Sequence, residues 1–401
     1  MTDSLRLEQC WRWFGPNDPV TLAQIKQSGA TGIVTALHDI PNGELWPEDA
    51  IAARRAEIEA AGLRWSVVES VPVHESIKLG RPEAPALIKT YAETLRRLGR
   101  HGIDTVCYNL MPAVDWTRTR LAAESADGAE ALRFDMVELA LFDIHILQRD
   151  GAREGYDAAV VEAADARSAE LDEDARRELE KSIIKGLPGS EESWTTEQFR
   201  AVLNAYREMT PERYRANVVA FLNGVLPAAE EAGLRLAVHP DDPPFSLFGL
   251  PRVVSTAEDL EGLFAELPSP ANGVTLCVGS FGSRADNDLP SMVRRFADRI
   301  QFVHLRNVRR DPDGSFSETH HLEGDLDMPA IVSALIDEQE RRRADGRPDV
   351  RMPWRPDHGL RMLDDLARDG NPGYSLIGRL KGLAEMRGLE IGLRHAKGLP
   401  S

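Results

Sequence analysis

Four short apolar runs in the C-terminal half of this 401-residue chain each end on a side chain able to hold a metal ion. They are Leu236-Ala237-Val238-His239, Val274-Thr275-Leu276-Cys277, Gln301-Phe302-Val303-His304 and the stretch 350–357, which closes on Asp357. Two imidazoles, a thiolate and a carboxylate brought to one point would bind a divalent cation. Imidazole and thiolate suit zinc or iron, and the carboxylate also admits manganese. Taken singly, each residue has a plainer explanation: a buried cysteine packs as a small hydrophobe, and a histidine after a strand is often a core residue. Four such side chains at the ends of consecutive strands form a pattern that packing alone does not produce.

The motif Arg355-Pro356-Asp357-His358-Gly359 is the densest polar cluster in the chain. Pro356 ends the run and Gly359 permits backbone angles closed to other residues, so neighbouring side chains can diverge. Asp357 then turns to the metal while His358 faces a substrate as a proton-transfer group. Arg355 suits two-pronged binding of a carboxylate, or else a salt bridge to a carboxylate of the barrel wall. Other polar groups also fall at strand ends: Arg12 and Trp13 near the first, His38 after the second. His321 lies in the polar loop 318–325, read as a substrate-contacting loop in preference to a second metal site.

The elements that must position these groups alternate. Strand-like runs at 8–14, 32–37, 63–69 and 103–110 precede the four ligand-ending runs. Helical patterns fall at 47–61, 84–99, 212–232, 257–267, 289–297 and 328–343, with a last helix at 374–387. Asp18 is placed to cap a further helix opening at Pro19. Eight strands, each followed by a helical pattern, predict an α/β fold, a (β/α)8 TIM barrel, in which the C-terminal strand ends converge on the catalytic face. The chain lacks the glycine-rich turn of an open nucleotide-binding sheet. Residues 115–215 break the rhythm: charged, Ala/Glu/Arg-rich and helix-prone, with a loop at 186–192. They are read as a helical insertion between the fourth and fifth strands of a single catalytic domain, 1–401, lying over the catalytic face as a lid or subunit contact.

Formal charge is −17, with 28% charged and 42% hydrophobic residues. That balance argues against nucleic-acid or anionic-membrane partners, which need a basic surface, and leaves room for a small anionic substrate. Cys10, Cys107 and Cys277 form no CxxC pair, which fits a reducing cytoplasm. No run approaches the roughly 18 apolar residues of a membrane helix, and the polar start lacks a signal peptide's apolar stretch. A cytoplasmic location is expected.

The residues also match a known family. Trp11-Arg12-Trp13-Phe14-Gly15-Pro16-Asn17-Asp18-Pro19-Val20, then Gly29-Ala30-Thr31-Gly32-Ile33-Val34-Thr35-Ala36-Leu37-His38, resemble the opening of the mannonate dehydratase family. His239-Pro240-Asp241-Asp242-Pro243-Pro244, Cys277-Val278-Gly279-Ser280, Phe302-Val303-His304-Leu305-Arg306-Asn307, the Arg355 to Gly359 motif and Asn371-Pro372-Gly373-Tyr374 resemble it too. The likeness spans nearly the whole chain. It implies a xylose-isomerase-like TIM barrel and a Mn²⁺-dependent lyase, with Fe²⁺ as the other candidate ion. Such an enzyme converts D-mannonate to 2-keto-3-deoxy-D-gluconate in hexuronate catabolism, as a homodimer. The resemblance places the metal on His239, Cys277, His304 and Asp357. It points to His358 and Tyr374 as the catalytic pair, with base and acid left unassigned. Arg306 joins Arg12, Trp13, His38, His321 and Arg355 as a substrate-binding candidate. Leu360 departs from the polar residue that the resemblance leads one to expect there. Two alternatives share these residues: a metal-dependent sugar isomerase or epimerase on the same barrel, and a non-catalytic sugar-acid binding protein.

Overall fold

The computed structural model describes residues 6–184 and 195–400. Its strands are β1 (Glu8–Arg12), β2 (Gly32–Thr35), β3 (Arg64–Glu69), β4 (Thr105–Asn109), β5 (Arg120–Glu124), β6 (Glu130–Phe134), β7 (Arg235–His239), β8 (Asn272–Cys277), β9 (Ile300–Leu305), β10 (Asn307–Arg310), β11 (Phe316–Thr319) and β12 (Pro353–Pro356). Eight of them close into a parallel barrel in the order β1-β12-β9-β8-β7-β4-β3-β2, as the alternation of the sequence predicts. The strands read as continuous apolar runs because helices cover the outside while side chains fill the inside.

One interior layer is a distinct cluster: Cys10, Val34, Val67, Cys107, Ala237 and Phe302, from β1, β2, β3, β4, β7 and β9. These side chains plug the barrel, and burial pushes the Cys10 and Cys107 thiols up. Side chains alternate along a strand, so residues two positions further on also point inward, one layer nearer the C-terminal rim. That next layer holds Arg12, Glu69, Asn109, His239 and His304. Register extends it, because Cys277 pairs with His304, and His304 with Arg355. The functional layer is therefore one pleat above the plug.

Outside the barrel, helix Ala84–Arg100 buries Tyr91, Leu95 and Leu98 on one face and packs on helix Pro211–Glu231. The ring of Tyr91 meets that of Phe221 edge-on at 5.1 Å. At the opposite rim, Glu8 and Asp104 both ion-pair with Arg351, and Asp104 also pairs with Arg235 at 3.1 Å.

Three local expectations are corrected. Asp18 does not cap a helix at Pro19: its carboxylate accepts from Phe14 N and Val20 N, each at 2.8 Å, and closes the preceding turn. The helix begins at Leu22, with Thr21 and Gln24 forming a reciprocal cap. The last helix runs Leu376–Ala396, so Tyr374 stands in the loop before it. The inserted stretch opens with a β-hairpin, β5–β6, before its helices Met136–Leu141, Ala158–Glu170, Glu173–Ile184 and Thr196–Ala205. The hairpin pairs antiparallel with the β10–β11 ribbon, giving a four-stranded sheet in the order β10-β11-β6-β5. Helix-prone composition is overridden by a partner strand some 180 residues away, since β pairing depends on tertiary context. The loop read at 186–192 lies outside the described residues.

Candidate metal centre and active-site cavity

His239, Cys277 and His304 end β7, β8 and lie near the end of β9, and their donor atoms all fall within 4.8 Å of one another. Each imidazole has its second nitrogen directed elsewhere. His239 Nδ1 lies 2.7 Å from the Pro240 carbonyl, to which it can only donate. Its Nε2 lone pair is thereby aimed at His304 Nδ1, 3.2 Å away. On the far side of His304, Nε2 faces Glu69 Oε2 at 3.5 Å without a hydrogen bond among the described residues. Asp357 abuts the trio: Oδ1 is 3.4 Å from His304 Nδ1, and Oδ2 is 3.4 Å from Cys277 Sγ.

Electrostatics define the donor set. Burial, then the Asp357 charge, push the Cys277 thiol well up. Burial, then Arg355, lower His304 to about 4, leaving it neutral. Burial opposes ionisation of Asp357, but His358, Arg306, His304 and Arg355 outweigh it and hold the carboxyl well below its ordinary range. Two imidazoles, His304 among them held neutral, a buried thiol and a carboxylate fit a divalent cation, whose charge would stabilise the thiolate.

The centre opens into a cavity with about 1220 Å³ of atom-free space, part of it continuous with solvent. His239 and Asp357 line it together with Arg12, His38, Arg306, Arg355, His358 and Tyr374. Six candidates are thus brought to the wall in addition to the two metal donors. Trp13 and His321 are not. Trp13 is buried under the Arg54 guanidinium, 5.3 Å from its ring. His321 packs against Gly382 of the last helix, where a Cβ would collide with its ring. Burial, the largest cause, lowers His321 to about 4.

Arg355 and Arg306 line the cavity with their guanidinium groups already engaged. Arg355 binds Glu69 through Nε at 3.1 Å and Nη2 at 2.8 Å, so the barrel-wall salt bridge is the alternative realised. Arg306 donates to Asp357 at 2.8 Å and Asp242 at 2.9 Å. Arg12 differs: its Nε and Nη1 have no hydrogen-bond acceptor among the described residues. Its Nη2 lies 3.4 Å from His38 Nε2. Burial, then Arg12 and Arg54, lower His38 to about 3, so it stays neutral.

His358 and Tyr374 stand side by side, ring centroids 5.1 Å apart. His358 Nδ1 lies 2.8 Å from Glu318 Oε2 and 3.0 Å from Oε1. A carboxylate there makes Nδ1 the donor and fixes the orientation of the ring. Glu318 is itself gripped by Arg118 at 2.8 Å, and Arg118 binds Asp242 at 2.8 Å, all three fully buried. Burial, the largest cause, lifts the Tyr374 phenol to about 12, with Arg355 pulling against it.

Glu69, Asp242, Glu318 and Arg118 went unassigned in the sequence. Glu69 ends its strand just as the metal donors end theirs, and Asp242 follows His239 by three positions, so both carried a usable signal. Glu318 opens the polar loop read at 318–325 but was given no role of its own, and it lies on β11 instead; Arg118, just before β5, gave no signal. Both depend on the antiparallel sheet that the sequence does not announce. Leu360 packs with Ala129 and Ala131 of the hairpin, which accounts for an apolar residue there.

The chain is similar to known proteins over nearly its whole length. A family model described as D-mannonate dehydratase (UxuA) matches residues 7–398. The chain is 56% identical over 390 residues to a mannonate dehydratase from Chromohalobacter salexigens, covering 97% of this chain and 99% of that one. It is 53% identical over 389 residues to one from Marinomonas sp., with 97% and 99% covered. Among solved structures, mannonate dehydratase from Streptococcus suis serotype 2 superposes with a TM-score of 0.78 at 35% identity, covering 99% of this chain and 97% of that one. A xylose isomerase domain protein from Planctomyces limnophilus, at TM-score 0.51 and 12% identity, shares the fold alone.

Proposed function

The chain belongs to the D-mannonate dehydratase family, a family of metal-dependent hydro-lyases, and we propose how its own residues turn D-mannonate into 2-keto-3-deoxy-D-gluconate and water. The observation that carries the reading is the convergence of His239, Cys277 and His304 within 4.8 Å, beside the cavity that His358 and Tyr374 line.

His239, Cys277, His304 and Asp357 hold the cation, Mn²⁺ by preference and Fe²⁺ as the second ion this mixed donor set accepts. When bound, it supplies Lewis acidity against the negative charge that develops beside the substrate carboxylate. Arg12, whose Nε and Nη1 both lack an acceptor among the described residues, orients that carboxylate. His358, its Nδ1 proton held by Glu318, takes the C2 proton on Nε2. Tyr374 keeps its proton at neutral pH because burial has raised it, and gives that proton to the departing C3 hydroxyl. The C2–H and C3–O bonds break, water leaves, and the enol product tautomerises to the 2-keto acid. Base and acid are thereby assigned to His358 and Tyr374 respectively. His38, neutral and beside Arg12, accepts a substrate hydroxyl. Arg355 and Arg306 act indirectly, by holding Glu69 and Asp357 ionised.

The whole chain, 1–401, is taken as one catalytic unit, with 115–215 as an insertion whose Arg118 reaches the catalytic wall. Three unpaired cysteines support a cytoplasmic location, and no described helix is long and apolar enough to cross a membrane. A homodimer is the assembly proposed. Leu363, Leu366 and Leu380, exposed near the last helix, offer apolar surface for it. Purified protein loaded with Mn²⁺ and given D-mannonate is expected to form a 2-keto-3-deoxy acid, read by a colour assay. Metal-loaded protein that forms none would overturn the reading.

A further inference from the structure

We propose that the cavity accepts sugar acids with one anionic end only, and that Asp115 and Glu75, on the wall across the mouth from His304 and Asp357, read the uncharged hydroxyl end. The inference rests on the dehydratase reading and names its substrate class. It begins with the cations lining the cavity: Arg12, Lys78, Arg306 and Arg355. Arg355 is taken up by Glu69 and Asp357, and Arg306 by Asp242 and Asp357. Lys78 is buried, its Nζ 2.8 Å from Glu75 Oε1 and 2.7 Å from the Met111 carbonyl. Among the described residues Arg12 keeps both Nε and Nη1 without a hydrogen-bond acceptor, whereas Arg306 keeps only Nε, which packs against Gly279. One guanidinium and one metal centre can serve one carboxylate. A second would find no cation to neutralise it.

The opposite wall gives the same answer from its own charges. In the closed strand order β3 stands four places from β9, and β4 four places from β12. The connections leaving β3 and β4 therefore lie across the mouth from His304 and Asp357. They carry Glu75, Lys78, Asp115 and Trp116, all lining the cavity. Trp116 meets His358 edge-on at 5.9 Å, so this wall borders the same cavity as the proton-transfer pair. Glu75 is fixed by Lys78, by the Tyr206 hydroxyl and by Ala113 N at 3.4 Å. Asp115 is looser: its nearest described cation, Lys78, is 3.9 Å away, and its side chain is 34% exposed. Two carboxylates against one ammonium leave the wall rich in acceptors. A terminal hydroxyl can donate to Asp115, whereas a terminal carboxylate or phosphate brings no proton and meets like charge, which is strongly unfavourable in a confined site.

The test compares D-mannonate with D-mannarate, which keeps the same reacting centre but ends in a second carboxylate. Both are given to the metal-loaded full chain and to Asp115→Asn. The wild type is expected to favour mannonate by about 100-fold in kcat/KM. Asp115→Asn is expected to raise KM for mannonate about 10-fold with kcat little changed, and to narrow the preference to about 10-fold. Turnover of mannarate by the wild type at a rate close to that of mannonate would overturn the proposal, as would an unchanged preference in the variant with its metal intact. If Asp115→Asn does not fold, the wild-type ratio decides alone. A wild type that dehydrates neither acid sinks the dehydratase reading and takes this one with it. Activity on both acids sinks only the discrimination.

Discussion

At the N-terminal rim of the barrel, Glu8 and Asp104 face Arg64, Arg235 and Arg351. At the C-terminal rim, Glu69, Asp242, Glu318 and Asp357 face Arg12, Arg118, Arg306 and Arg355. Both rims are ringed with ion pairs, yet they do different things. The lower groups point at one another, and of their buried atoms only Arg235 Nη1 is without a hydrogen-bond partner among the described residues. The upper groups surround imidazoles, a thiol and a phenol, and atoms of Arg12, Arg306 and His304 remain without hydrogen-bond partners among the described residues. Charges that satisfy each other hold a barrel closed, whereas charges aimed at a shared space hold a ligand.

That contrast can be broken at the upper rim first. Replacing His304 by Ala removes a donor and is expected to strip the metal and lower turnover by more than about 10³-fold; elemental analysis beside the dehydration assay checks both. His358→Asn should keep the metal and lower kcat by about 10²–10⁴-fold, and near-normal turnover would remove His358 from the chemistry. Glu318→Gln leaves every reacting group in place and only loosens His358, so a loss of about 10–100-fold is expected, in kcat more than in KM. A variant indistinguishable from wild type would detach the antiparallel sheet from catalysis.

At the lower rim the signs reverse. Arg351→Met leaves Glu8 and Asp104 without their shared partner and is expected to cost about 3 kcal/mol in urea unfolding, with kcat per folded molecule unchanged. The effect should also depend on pH. Burial opposes ionisation of Asp104, but Arg235 and Arg351 outweigh it and lower its pKa in the folded state. Stability from a depressed carboxyl is fully present above its unfolded value, about 3.9, and is lost as pH falls through the folded value. The gap between wild type and Arg351→Met should therefore be widest at neutral pH and narrow on acidification.

The same contrast runs through what the sequence makes legible. His239, Cys277, His304 and Asp357 could be picked out because each terminates or follows a short apolar run, and strand alternation together with barrel closure carries such residues to one rim. Their convergence needs no knowledge of any loop. Glu318 and Arg118 lie 200 positions apart and meet only because β6 pairs with β11, a register that nothing local dictates. Tyr374 shows an intermediate case: the resemblance named it, but the periodicity placed it inside a helix, whereas the loop before Leu376 is what lets it reach His358.

The distribution of apolar runs and the residues ending them, taken alone, determined a closed parallel barrel with candidate metal donors at one rim, since both follow from short-range periodicity. Tertiary structure decided which arginines are engaged by neighbours and that Arg12 keeps unpaired donors in the cavity wall, how His358 is oriented, and that Trp13 and His321 do not line the cavity. Those outcomes depend on contacts between distant segments, whose partners a linear pattern does not specify.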